Sequence, residues 1–385
     1  MITVLSPENA AEQTNTTLPH VLLVVDQFPK ALGGGERIAL KLASLLPKYG
    51  YRASILTFRA DPETTALNSP PCPIYLLPLE KTYDLRAMQA ALHLGRFLKQ
   101  QQVQVVQTFF ESSDIWAGFV TKAMSRAKLI WSRRDMGILR TQKHHVAYRL
   151  MAGLPDAVFA VSDLVRQHCI DIDHIDPNRV LTVYNGLDLS AWNTPSTSES
   201  NDSSVVTTVG NIRRVKGHDI FIKAAASVLQ QFPGARFSIA GDVLEPDYFA
   251  ELQALVNNLK LTGHFHFTGG ISNLRDHLAN ANVFVLPSRS EGFSNAIVEA
   301  MAASLPIVAT DVGGNAEAVK DGVTGFIVPP EDPESLACAI KRLLADPTRA
   351  SEMGVAGKAL AAEEFTLDAM MYRTTQTYRR LLAAQ

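Results

Sequence analysis

Cysteine is scarce in this sequence. Cys72, Cys169 and Cys338 are odd in number and far apart, with no metal-ligand spacing, so neither a disulfide framework nor a zinc module is expected. Charge is thin as well: 19% of residues are Asp, Glu, Lys or Arg and the net charge is −2, which leaves no electrostatic case for nucleic acid as a partner. No apolar run is long enough to span a bilayer. The first 18 residues contain neither Lys nor Arg nor an apolar segment, so they do not read as a secretion signal. These absences lead us to expect a cytoplasmic chain, free in solution or peripheral on the inner face of the cell membrane.

What the sequence does have is length and alternation. A chain of 385 residues has room for two domains with good cores. Residues 1–18 are polar and read as a flexible tail. His20–Val25 is apolar enough to be a strand buried on both faces; further strands are expected at Ala53–Phe58, Val103–Thr108, Leu129–Ser132 and Val158–Val161. Helical patterns lie between them, Leu85–Gln101 being the best, and Ser162-Asp163 caps another over Leu164–Cys169. Residues 193–204 are of low complexity, so 189–204 read as a linker between a domain at 19–188 and one at 205–365. In the second domain strands are expected at Val205–Val209, Arg236–Ala240, His264–Thr268, Val283–Leu286, Pro306–Thr310 and Gly325–Val328. Helices are expected at Ile220–Gln231, Tyr248–Leu259, Ala296–Ala303 and Pro333–Ala345. Residues 366–385 carry a last helix, expected to pack back on the N-terminal domain. The pattern predicts an α/β protein of two doubly wound, Rossmann-like domains with a cleft at the carboxyl ends of their strands.

Three stretches carry candidate chemistry. In the first, Ser290-Glu291-Gly292-Phe293-Ser294-Asn295, a strand closed by Pro287 passes through a Gly-bearing turn into a helix. Free backbone N–H groups and the helix dipole converge at such a place and favour an anion. Glu291 and Glu299 flank it; carboxylates would repel a phosphate, so they read as acceptors for hydroxyls. A phosphate between hydroxyls describes a nucleotide sugar. In the second, Gly210 to Gly217, the cations Arg213, Arg214 and Lys216 fall within four residues at a strand end with no acid among them, which suits a diphosphate. Arg213 is favoured as the inward side chain and Arg214 as the exposed one. The third, Gly33-Gly34-Gly35-Glu36, opens the first helix, where glycine lets the backbone come close to a ligand. It is neither a P-loop nor a G-x-G-x-x-G fingerprint.

Taken together, Gly33–Glu36, Ser162, Asn185-Gly186-Leu187-Asp188, Lys216-Gly217, Gly241-Asp242, Glu291-x₇-Glu299, Gly313-Gly314 with Glu317, and Asp321-Gly322 with Gly325-Phe326 resemble glycosyltransferase family 4, which has the GT-B fold. The resemblance runs from about residue 20 to nearly the end. It implies a retaining, metal-independent hexosyltransferase with no cofactor beyond its UDP- or GDP-sugar donor, acting on a lipid-linked or saccharide acceptor. By the same resemblance Arg213 and Lys216 hold the diphosphate, Glu291 meets the transferred sugar and Glu299 the ribose. Backbone amides of Gly292, Phe293, Ser294 and Asn295 complete the phosphate cradle, and the loop with Gly34 and Gly35 closes over the donor. Two positions depart from the pattern: Asn211 stands where many relatives carry Arg, and Ser304 where glycine is usual. Where relatives often place a His, this chain has Ser132-Arg133-Arg134-Asp135, so no general base is assigned.

Other signals are weaker. Asp171-Ile172-Asp173-His174 holds an Asp-x-Asp, but away from every glycine loop it reads as a solvated loop and no metal site is assigned. Between residues 115 and 155 eight Lys or Arg accompany a single acid, with Trp116, Trp131 and Tyr148 among them. Ordinary surface and a face resting on anionic lipid heads both remain open there. A non-catalytic nucleotide-sugar-binding subunit and a nucleotide-sugar epimerase are the alternative functions.

Overall fold

The computed structural model describes residues 2–5, 17–137, 140–192 and 204–384. The chain divides into two units: Met1–Tyr184 together with Asp368–Gln385, and Asn185–Leu367.

The first unit follows the order β1 (Thr3–Val4), β2 (His20–Phe28), α1 (Gly34–Leu45), β3 (Arg52–Ala60), β4 (Ile74–Leu76), α2 (Leu85–Gln100), β5 (Val103–Thr108), α3 (Gly118–Met124), β6 (Lys128–Arg133), α4 (Gln142–Met151), β7 (Ala157–Ala160), α5 (Asp163–Asp171) and β8 (Val180–Thr182). Its sheet runs β1-β4-β3-β2-β5-β6-β7-β8, parallel except where β1 pairs antiparallel with β4. β2 lies at the middle of the sheet because Val21 to Val25 are apolar on both faces, and all five are fully buried. Two of these helices start at a side-chain cap: Asp84 accepts from the Ala87 amide at 2.8 Å, and Ser162 from the Val165 amide at 3.2 Å. The strand Thr3–Val4 corrects the expectation of a wholly flexible tail; residues 6–16 lie outside the described residues.

The second unit continues with β9 (Val205–Val209), α6 (His218–Gln231), β10 (Arg236–Ala240), α7 (Pro246–Asn258), β11 (Phe265–Gly269), α8 (Leu274–Ala279), β12 (Val283–Leu286), α9 (Asn295–Ala302), β13 (Ile307–Thr310), α10 (Asn315–Ala318), β14 (Gly325–Val328), α11 (Pro333–Ala345) and α12 (Pro347–Glu364). Its sheet is β11-β10-β9-β12-β13-β14, with every pair parallel. Winding reverses between β9 and β12, so the loops after these two strands flank a switch point, where ligands of open α/β sheets bind. The core beneath is built from Phe221, Phe237 and Phe265 with Val206, Ile222 and Val285. In the first unit the reversal falls between β2 and β5.

Three boundaries differ from expectation. Asn185–Asp188 belong to the second unit, because the Leu187 amide donates to the Phe365 carbonyl at 2.8 Å and Leu367 returns the bond at 3.2 Å. Within the expected linker, Leu189–Trp192 form a 3-10 turn and residues 193–203 lie outside the described residues. Helix α12 was not expected, since small residues and two glycines blur its apolar stripe. Gly354 on α12 sits so close to the Ser304 carbonyl that a Cβ would stand 1.9 Å from it. The final helix α13 (Leu367–Ala383) packs in the first unit, where Tyr378 is fully buried, meets Tyr51 edge-on at 5.4 Å and donates its hydroxyl to Gln107. Among the described residues, no helix is long and apolar enough to cross a membrane.

Candidate functional site

In the second unit the two switch-point loops are pressed together. Gly217 has φ +64°, and a Cβ there would stand 2.0 Å from the Pro287 carbonyl oxygen, so only glycine fits. The Arg289 amide donates to the Val215 carbonyl at 2.8 Å. That contact brings the Lys216 ammonium to 2.7 Å from Glu291 Oε1, and the buried Ser288 hydroxyl donates to the same oxygen at 2.6 Å. From the other side Gly313 (φ +54°) approaches Glu291 so closely that a Cβ would lie 1.8 Å from its carbonyl oxygen, and the Gly314 amide donates to Gly292 at 2.9 Å.

Past this turn α9 begins. Ser294 is its N-cap residue but accepts no side-chain bond from the first turn. Asn295 accepts from Asn185 Nδ2 at 2.6 Å. Glu299, half-buried, lies one turn beyond Asn295 on the same helix face. Phe293 is core rather than surface: it is buried against Phe365 with ring centroids 5.2 Å apart, so only its backbone is left to a ligand. The structure therefore unites Lys216, Glu291 and the α9 N-terminus. The arginines turn elsewhere: Arg213 pairs with Glu245 at 3.5 Å, while Arg214 pairs with Glu251 and lies 4.9 Å over the Tyr248 ring.

Sequence reasoning overlooked Arg289. Its guanidinium binds Asp219 at 2.8 and 2.9 Å and also Glu331, and it donates to the Arg214 carbonyl at 2.7 Å. Burial works against the Asp219 charge, but hydrogen bonds from Arg289 and Tyr248 prevail and hold it at about 2. Arg289 thus ties the basic loop to α6. Its place two residues before Glu291 was the one available signal.

In the first unit a pocket of about 270 Å³ opens at the carboxyl ends of β2 and β3, lined by Asp26, Glu36, Leu79, Phe110 and Glu111 among others. Burial raises the Asp26 carboxyl, although it accepts from the amides of Ser112 (3.0 Å) and Ser113 (2.7 Å). Burial also raises Glu36, whose carboxylate folds back over the start of α1. Gly35 packs against Phe110: a Cβ would stand 2.6 Å from its Cζ, so a larger residue would push the ring aside. Gly34, the first residue of α1, is exposed.

Behind the pocket, two expectations are overturned. Asp173 is fully buried, not solvated, and pairs with Arg133 (3.2 Å) and Arg140 (2.9 Å). Both guanidinium groups lie over the Tyr148 ring, at 4.4 and 4.1 Å, and Tyr148 donates to Asp114 at 2.9 Å. Asp114 is raised to about 7 by burial, against the opposing charge of Arg133. So Trp131, Arg133, Arg140 and Tyr148, expected on a basic face, are interior. Paired charges and ring stacking make their burial tolerable. Among the described residues no three His, Cys, Asp or Glu side chains are grouped as metal ligands.

Two family models match the chain: Glycosyltransferase Family 4 over residues 32–191 and Glycosyl transferases group 1 over residues 193–360. Together they span most of its length. The chain belongs to glycosyltransferase family 4. Among its curated relatives, the D-inositol 3-phosphate glycosyltransferase of Kineococcus radiotolerans is 32% identical over 252 residues, 58% of this chain and 57% of that protein. The GDP-mannose-dependent alpha-(1-6)-phosphatidylinositol monomannoside mannosyltransferase of Mycolicibacterium smegmatis is 35% identical over 182 residues, 45% of this chain and 46% of that protein. The match thus spans about half the length of these relatives. The fold agrees with solved structures: HepE of Anabaena, crystallised with UDP, superposes with a TM-score of 0.83 at 21% identity, covering 94% of this chain and 100% of HepE. A sucrose-phosphate synthase of Thermosynechococcus elongatus gives 0.81 at 22%, covering 95% and 100%. This family 4 chain therefore has two Rossmann-like α/β domains of the GT-B type.

Proposed function

We propose that the chain is a retaining glycosyltransferase that moves a hexosyl unit from a UDP- or GDP-sugar to a lipid-linked or saccharide acceptor, without a metal or other cofactor. Cell-envelope or extracellular polysaccharide and glycolipid synthesis is the setting that fits such a reaction. The observation that carries this reading is the Lys216–Glu291 contact of 2.7 Å at the switch point, set at the mouth of α9. A cation, a carboxylate and a helix N-terminus within one turn offer complementary partners for a diphosphate and for hydroxyls.

In the reaction the bond from the anomeric carbon to the diphosphate oxygen breaks, and its electron pair leaves with the diphosphate. The acceptor hydroxyl oxygen bonds to the same face of that carbon, and its proton passes to the departing diphosphate oxygen. Lys216, aided by Arg213 once it leaves Glu245, offsets the charge on the departing diphosphate, as do the amides of Gly292 to Asn295. Glu291 then accepts from a hydroxyl of the sugar and Glu299 from the ribose. The names of the relatives support the donor class: one is GDP-mannose-dependent, and HepE was crystallised with UDP.

The test incubates the chain with UDP- and GDP-sugars and with saccharide or lipid-linked acceptors, and measures nucleoside diphosphate release. Release only when acceptor is present is expected, and Glu291→Ala abolishes it without unfolding the chain. Donor binding with no turnover would replace this reading by a nucleotide-sugar-binding subunit. An epimerised donor without release would replace it by an epimerase.

A further inference from the structure

Beside the first unit's pocket the chain exposes apolar surface that the proposed transfer does not use. Thr82 lines the pocket; the next residues are Tyr83, 84% exposed, and Leu85, 78% exposed, where α2 begins. Along α2, Met88 is 67% and Leu92 49% exposed. At three and seven positions beyond Leu85 they share one face. The other face, Ala87, Ala90, Leu94, Phe97 and Leu98, is buried in the unit's core. The helix is therefore apolar both toward the core and toward solvent, a pattern that marks an interaction surface.

Charge selects the partner. Helix α2 contains Arg86, Arg96 and Lys99, all exposed, while the acid at its start is the N-cap Asp84, whose carboxylate accepts from the Ala87 amide. Its C-terminal end borders a groove of about 510 Å³ lined by Leu98, Lys99, Val103, Met124 and Arg126 among others, with cations and no acid. An apolar stripe rimmed by cations, with a tyrosine at its end, is complementary to a lipid surface bearing anionic head groups.

We propose that α2 lies in the surface of an anionic bilayer, with Tyr83, Leu85, Met88 and Leu92 at the acyl-chain boundary and the cations among the head groups. This centres the lipid contact on α2 instead of residues 115–155, where Trp116, Trp131, Tyr148, Arg133 and Arg140 are interior and Arg126 remains at the groove beside α2. Because Thr82 and Tyr83 join the pocket to the helix, the pocket mouth stands at the membrane and receives an acceptor presented by a lipid. That consequence rests on the proposed transfer reaction; the membrane contact itself does not.

The experiment sediments the full chain with phosphatidylcholine vesicles containing about one-third phosphatidylglycerol, and with phosphatidylcholine alone. Binding to the anionic vesicles, weakened by salt, is expected. The exposed-face variant Leu85→Ser/Met88→Ser/Leu92→Ser is expected to partition at least about tenfold less while keeping its thermal midpoint. A chain that stays in the supernatant overturns the proposal, as does a triple variant that sediments like the unmodified chain. Light scattering that shows a dimer broken by the triple variant also overturns it, since a second copy then covers the face. Transfer to a soluble saccharide, measured in parallel, keeps the two readings apart. Transfer without vesicle binding refutes the membrane contact alone, and vesicle binding without transfer to any acceptor refutes the enzymatic reading alone.

Discussion

The Lys216 ammonium and the Glu291 carboxylate, 75 positions apart in the chain, meet at 2.7 Å with Ser288 donating to the same carboxylate oxygen. Both side chains keep some access to solvent, 27% and 10%. A pair that is neither fully buried nor free is poised to exchange its partner for a ligand. Lys216→Ala removes the cation but leaves Glu291 with Ser288, so the fold survives. Turnover is expected to fall by about 100-fold or more. Steady-state kinetics with a saturating donor checks this, and a variant with near-normal kcat would remove Lys216 from the reaction.

Ser304 has φ +59°, a left-handed conformation that costs a non-glycine residue about 1 kcal/mol or more. Ser304→Gly is expected to stabilise the second unit by up to about 1 kcal/mol, less the entropy that glycine adds to the unfolded chain. Thermal unfolding reads it directly; a lowered midpoint would mean that the serine side chain contributes more than its backbone costs.

His20 and His218 are both buried, and burial lowers each to about 4. Between that value and the ordinary 6.5 the unfolded chain binds protons that the folded chain does not. Their stabilisation is complete above pH 6.5 and drains away as pH falls toward 4. Each contributes up to about 3 kcal/mol to that loss. Denaturant midpoints at a series of pH values should fall across this window, and less steeply in His218→Gln. Equal slopes in the two proteins would contradict the assignment.

Asp114 titrates in the opposite sense. Its carboxyl is raised to about 7, so its contribution to stability is present below the ordinary carboxylate range and is lost as pH rises through 7. Asp114→Asn cannot ionise. Its stability relative to the unmodified chain is therefore expected to improve steadily from pH 4 to pH 8. A constant difference would show that Arg133 keeps the carboxylate charged throughout.

Much of this was legible in one dimension. Continuous apolar runs such as Val21–Val25 and Val283–Leu286 read as buried strands, and Ser162 announced the helix it caps. The glycine turns and the pair Glu291 and Glu299 were visible as residue types at fixed spacing. Local pattern did not reveal α12, whose small residues serve close helix contact rather than an apolar stripe, nor Arg289, whose meaning depends on Asp219 seventy residues away.

The sequence by itself determined the two parallel-sheet units, because period and apolar content fix what each segment must bury. Only the tertiary structure decided which charges meet: Lys216 with Glu291, Arg213 with Glu245, and Asp173 with two arginines in the interior. Charge in a sequence carries no direction. The order of strands around the switch point brings distant loops to one place, and burial then sets whether a carboxylate is a surface group or an interior partner.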